Sequence, residues 1–190
     1  MKQVMIDLET MGKTNDAAIT AIAAVEFSAD TYAIDPSSGG IVYRDSRRSD
    51  FYRVVDLNTS VREGGVMDAS TVLWWMKQSE EARQMFSETA VDIKTALKDF
   101  SLWLGTKLET DVWGNGATFD LVILEGAYNR SGIATPWGHR NERCYRTMKN
   151  TVGAEFKEKE RASGVHNALE DALSQAQHLC YICFMKGVKI

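Results

Sequence analysis

A chain of 190 residues, 44% of them hydrophobic, is long enough to bury one sizeable core, and its formal net charge of −4 argues against a protein held on nucleic acid by bulk positive charge. No apolar run approaches the length of a membrane span and no basic, apolar leader opens the sequence, so the expectation is a single domain over residues 1–190, not membrane-bound and cytoplasmic. The three cysteines, Cys144, Cys180 and Cys183, are an odd count without a secretion signal, and no disulfide framework is expected of them.

The first predicted element is a strand over residues 3–10, where the apolar run Val4, Met5, Ile6 is interrupted by Asp7 and Glu9. Residues two apart on a strand share a face, so these two acids project together while Leu8 points the other way. Two like charges side by side are costly and ask for a cation. Hard carboxylate oxygens suit Mg²⁺ or Mn²⁺ better than zinc. A strand that merely ends in solvated acids looks the same by itself, so further acids have to converge on the pair before it counts as a site.

Residues 11–16 read as a loop around Gly12 and Asn15, followed by a second strand over 18–27. Residues 28–40, with Pro36, Ser37, Ser38 and a Gly-Gly pair, read as a strand connection or a longer excursion. A third strand over 51–55 completes an antiparallel meander. The pattern then turns helical over 70–76, which carries Trp74 and Trp75, and over 78–86. An amphipathic helix spans 91–104, with Ile93, Leu97, Phe100 and Leu104 on one face. A short strand over 111–114 ends in the Gly114-Asn115-Gly116 turn and a helix over 119–129 follows; 143–146 reads as another short strand. A long helix over 165–185 closes the chain, its apolar face built on Ala168, Leu169, Ala172, Leu173, Ala176, Leu179 and Ile182. Strands followed by helices in this order predict an α/β fold, a mixed sheet covered by helices. Cys180 and Cys183 have the C-x-x-C spacing, but they fall late in the last helix with no second pair to complete a zinc tetrahedron, so they are read as core.

Two later acids are candidates to join Asp7 and Glu9. Asp120 opens a helix directly after a strand and turn, a place where an acid complements the helix dipole but also where ligands bind in open α/β sheets. Asp171 lies in the first turns of the last helix, with Glu170 as its competitor and His166 just ahead. An imidazole that titrates near neutrality is a candidate general base.

Taken together, D-L-E-T with Asp7 and Glu9, N-x-x-x-F-D with Asp120, and H-N-A-x-x-D with His166 and Asp171 resemble the three exonuclease motifs of the DEDDh family. They occur in the family's order and span nearly the whole chain. The strand meander and the T-V-L-W-W-M-K-Q segment are similar to its RNase T and RNase AS-like, phage-type branch. The resemblance implies an RNase H-like mixed five-stranded sheet flanked by helices, two divalent ions (Mg²⁺, with Mn²⁺ possible), and 3′-5′ removal of nucleotides from single-stranded nucleic acid with a free 3′ end, RNA favoured. It also implies Asp7, Glu9, Asp120 and Asp171 as the metal cage, Asp7 bridging both ions, His166 as the base, and a homodimer by analogy with relatives. A DNA exonuclease of the same family and a catalytically silent nucleic-acid-binding module are the alternatives; the second would be marked by loss of a cage acid, and none is missing.

Substrate contacts are expected around these motifs. Adjacent helical residues diverge by about 100°, so of Trp74 and Trp75 one is expected in the core while the other stacks on a base. Thr10, Met11, Asn115 and Phe119, which flank the motifs, are further candidates near the terminal nucleotide. Arg143 and Arg146, with Lys149, form a basic cluster that fits backbone phosphates as well as it fits a solvated patch. The alternating Lys and Glu residues of 155–161 read as a mobile loop that delivers His166.

Overall fold

The computed structural model describes residues 2–28, 32–34, 37, 41–43, 49–105, 110–153 and 167–190. His166 and the charged segment before it lie outside them. The strands are β1 (Lys2–Thr10), β2 (Ile19–Phe27), β3 (Tyr32–Ile34), β4 (Ile41–Tyr43), β5 (Asp50–Val54), β6 (Thr110–Gly114) and β7 (Glu142–Cys144). The helices are α1 (Leu57–Arg62), α2 (Ala69–Met76), α3 (Glu80–Arg83), α4 (Ile93–Leu104), α5 (Asp120–Arg130), α6 (Tyr145–Asn150) and α7 (Ala168–Lys186).

Five strands form one mixed sheet in the order β5-β2-β1-β6-β7. β2 runs antiparallel to β1 and to β5, as a meander requires, while β6 and β7 continue parallel to β1. This is the RNase H-like arrangement that the motifs implied. The excursion after β2 contains its own two-stranded antiparallel sheet of β3 and β4. Residues 143–146, read as a strand, divide instead: β7 stops at Cys144 and α6 begins at Tyr145. Four residues are too few for a period to tell the two apart, and the fully buried Tyr145, bonded through its hydroxyl to His178 Nδ1 at 2.6 Å, draws the chain under α7.

β1 is central and its two faces serve two cores. Val4, Ile6 and Leu8 pack with residues of α4 and α5, including Leu97, Phe100 and Leu121, whereas Met5 packs with Ala172, Ala176 and Leu179 of α7. Cys180 and Cys183 are buried in this second core without a disulfide between them. Below the site, Asp111 on β6 ties three strands together: it accepts from Gln3 Nε2 of β1 at 3.3 Å and from Asn141 Nδ2 at 3.2 Å, and pairs with Arg143 of β7 at 3.0 Å. Among the described residues no helix is long and apolar enough to cross a membrane.

Candidate active site

β1 outruns its parallel neighbour. β6 ends at Gly114, opposite Ile6, so Asp7 and Glu9 stand beyond the carboxyl end of β6, where the crevice of an open α/β sheet lies. They continue the face begun by Met5 and so look toward α7. That helix is capped by Asn167, whose side chain accepts from the N–H groups of Leu169 and Glu170, and this cap sets Asp171 in the first turn, facing the strand. One carboxylate oxygen each from Asp7, Glu9 and Asp171 lies within 4.8 Å of the others. Glu9 and Asp171 are buried and Asp7 is partly so. Three hard anionic oxygens converging this tightly repel one another unless a cation is shared, and their number and type fit a divalent ion of the Mg²⁺ or Mn²⁺ kind.

Asp120 is adjacent to this trio and outside its 4.8 Å span. It opens α5, 3% exposed, and its carboxylate accepts the backbone N–H of Leu8, the residue between the two β1 acids, along with that of Asn115. Gly114 makes the approach possible, since a Cβ there would stand 3.2 Å from Asp120 Oδ2. Burial pushes the Asp120 carboxyl up from 3.8 to about 7, against the backbone hydrogen bonds and the Arg146 charge that pull it down.

That shift has a consequence for stability. The folded carboxyl keeps its proton up to about pH 7 and the unfolded one loses it near 3.8, so folding of the metal-free protein takes up a proton between these values. Stability therefore falls as pH rises through the window. Asp120→Asn is expected to stabilise the chelator-treated protein near neutral pH and above by on the order of 2 to 4 kcal/mol, and to converge with wild type below about pH 4. Urea unfolding at the two extremes measures it.

The aromatic side of the site is a pocket of about 360 Å³ lined by Leu8, Glu9, Thr10, Gly12, Lys13, Thr71, Trp74, Trp75 and Phe119. α2, capped by Asp68 on the N–H groups of Ser70 and Thr71, presents the two tryptophans differently. Trp75 is 3% exposed and donates from Nε1 to the Thr10 carbonyl at 3.0 Å, pinning α2 to the end of β1, while Trp74 is 41% exposed and meets it edge to face at 5.0 Å. Trp74→Ala is thus expected to weaken single-strand binding by about 1 to 3 kcal/mol with little change in melting temperature. Trp75→Ala is expected to cost about 3 to 5 kcal/mol of stability. Binding and thermal unfolding of the two variants separate the roles.

The remaining candidates are placed as follows. Thr10 and Phe119 line the pocket, but Met11 is packed in a core with Ala18, Val54 and Met85. Asn115 offers its carbonyl to Arg146 at 2.6 Å, and its Oδ1 is buried without a hydrogen-bond partner among the described residues. Arg146, on α6, braces the Asn115-Gly116 turn from behind. Arg143 is engaged by Asp111 and by the carbonyls of Arg140 and Glu142. Three neighbours had no signal in the sequence: Gln175, which donates to Asp7; Lys13, which bonds Ser70 Oγ at the pocket mouth; and Tyr52, pushed up to about 12 by burial and by the charges of Glu88 and Glu9.

A mixed five-stranded sheet with acids gathered at the carboxyl end of its central strand defines the class by fold, which is RNase H-like. The nuclease domain of 3′hExo, a DEDDh family member solved bound to rAMP, superposes with a TM-score of 0.58 at 14% identity, covering 100% of this chain and 94% of that one. Cell-death related nuclease 4 gives 0.57 at 16% identity over 97% of this chain and 64% of that one. E. coli exonuclease I in a complex with single-stranded DNA gives 0.57 at 11% identity over 96% and 39%. The chain thus spans less than two thirds of the length of the last two. No curated protein sequence matches it. Residues 2–183 match the profile of the 3′-5′ exoribonuclease Rv2179c-like domain, and the chain belongs to that family of 3′-5′ exonucleases.

Proposed function

We propose that residues 1–190 form a single metal-dependent exonuclease domain that removes nucleotides from the 3′ end of single-stranded RNA. The observation that carries this reading is the meeting of Asp7, Glu9 and Asp171 within 4.8 Å, with buried Asp120 hydrogen-bonded to the strand between the first two. These four acids would hold two divalent ions, which when bound neutralise charge on the scissile phosphate and lower the pKa of the attacking water. His166 takes the proton from that water as it attacks phosphorus; the P–O3′ bond breaks and the departing 3′ oxygen takes a proton from solvent to become the new 3′ hydroxyl. Trp74 stacks on the base of the terminal nucleotide, and the pocket wall formed by Phe119 and Leu8 keeps water from its face. An unpaired end makes this unstacking cheap, which favours single strands.

The RNA choice is supported by the family's description and by Glu9, which lines the pocket and whose carboxylate would accept a hydrogen bond from the terminal sugar. The 2′ hydroxyl is what distinguishes RNA from DNA at such a point. A DNA substrate is the second reading, favoured by the neighbour solved with single-stranded DNA. End-labelled RNA and DNA strands of one sequence, incubated with Mg²⁺ or Mn²⁺, decide between them. Stepwise shortening of RNA from the 3′ end is the expected result, and a tenfold or greater preference in kcat/KM for DNA, set against the factor of ten that about 1.4 kcal/mol represents, moves the assignment to a deoxyribonuclease. We place the enzyme in the cytoplasm, whose reducing conditions suit three cysteines that form no disulfide.

A further inference from the structure

α7 reaches the cage twice. Asp171 brings a carboxylate into it, and one turn further along, Gln175, 2% exposed, donates from Nε2 to Asp7 Oδ1 at 2.8 Å. Positions four apart on a helix share a face. The helix that delivers one acid therefore also grips another, on the strand it crosses. The amide's orientation follows from chemistry: an ionised carboxylate only accepts, so the NH₂ must face it. Gln175 Oε1 is then left buried, with no hydrogen-bond partner among the described residues. A buried acceptor without a donor costs stability, and in a native fold it calls for a reason.

We propose that Gln175 is a positioning residue for the metal centre: its N–H holds Asp7 Oδ1 and so fixes how Asp7 offers its other oxygen to a divalent cation. The inference rests on reading Asp7, Glu9 and Asp171 as cation ligands. A neutral donor suits this place better than a charged one. Lysine or arginine at 175 would relieve the repulsion among the acids, but by cancelling the negative charge that the cation needs. Glutamine orders the ionised carboxylate and leaves its charge intact. Hydrogen bonds that orient a ligand in this way typically change metal affinity or activity by about 10- to 100-fold when removed.

Binding of Mn²⁺ to the full chain, read from the paramagnetic resonance of the free ion, tests this without turnover. Gln175→Met keeps length and volume but loses the donor, and Gln175→Leu repeats the loss in a second shape. Both are expected to bind Mn²⁺ about 10- to 100-fold more weakly, with a metal-free melting temperature that is unchanged or higher. The Mn²⁺ concentration for half-maximal activity should rise in step. Wild-type Mn²⁺ affinity in either folded variant overturns the inference, as does a lowered metal-free melting temperature with binding unchanged, the mark of a purely structural glutamine. Asp7→Asn separates the two levels. Binding that is lost in Asp7→Asn yet intact in Gln175→Met refutes the role of Gln175 alone, whereas absence of Mn²⁺ binding in the wild type removes the metal-centre reading and this inference with it.

Discussion

Asp7→Asn is expected to lower kcat/KM on an end-labelled single strand by on the order of 10³-fold or more, with Glu9→Gln and Asp171→Asn comparable. Charge stabilisation by a correctly held metal supplies several kcal/mol to phosphoryl-type chemistry, and roughly 1.4 kcal/mol is tenfold in rate. The amide preserves shape and removes one negative charge from a group of oxygens only 4.8 Å across. The metal-free fold should therefore survive, with a melting temperature equal to or above wild type because repulsion among the acids is eased. Rate assays paired with thermal unfolding in chelator measure both halves. Full wild-type activity in excess chelator would refute the metal reading outright.

His166→Ala is expected to cost about 10²- to 10⁴-fold in rate, the usual contribution of a positioned general base, while Mn²⁺ binding persists. The residue lies five positions ahead of Asp171 in H-N-A-L-E-D, immediately before Asn167, the cap of α7. An imidazole that accepts a proton must be neutral, so the wild-type rate should fall toward acid pH as the ring is protonated. That acid limb should be missing from the variant's profile. Collapse of metal affinity in His166→Ala would instead make the histidine a ligand.

Much of the architecture follows from local pattern. The strands of the meander are legible from their apolar, strand-forming runs, and the 3.6-residue period of α4 can be read directly. α1 gives no such signal: four of its six residues, Asn58, Thr59, Ser60 and Val61, are poor helix formers, and Asp56 holds the turn by accepting the N–H of Asn58. The short strands β3 and β4 fall in a stretch dominated by turn residues, where three-residue runs give no period. Arg143 and Arg146 looked alike in sequence as phosphate contacts. Which carbonyl or carboxylate each one meets depends on where β7 stops and α6 starts, which no local rule supplies.

What the sequence by itself determined is the shared face of Asp7 and Glu9, because a strand's period of two is a property of the backbone, and the spacing of the acid motifs along the chain. It also required that Trp74 and Trp75 diverge, because helix geometry alone separates them. Which one turns outward was decided by tertiary packing, through the bond from Trp75 Nε1 to the Thr10 carbonyl. The same holds for the carboxyl of Asp120, raised to about 7 because α5 buries it against β1, and for Gln175, an unremarkable polar residue in sequence that meets Asp7 only because α7 crosses the strand one turn beyond Asp171. Contacts between residues 168 positions apart are set by the angle and depth at which helix packs on sheet, and that is fixed by the sum of the buried side chains.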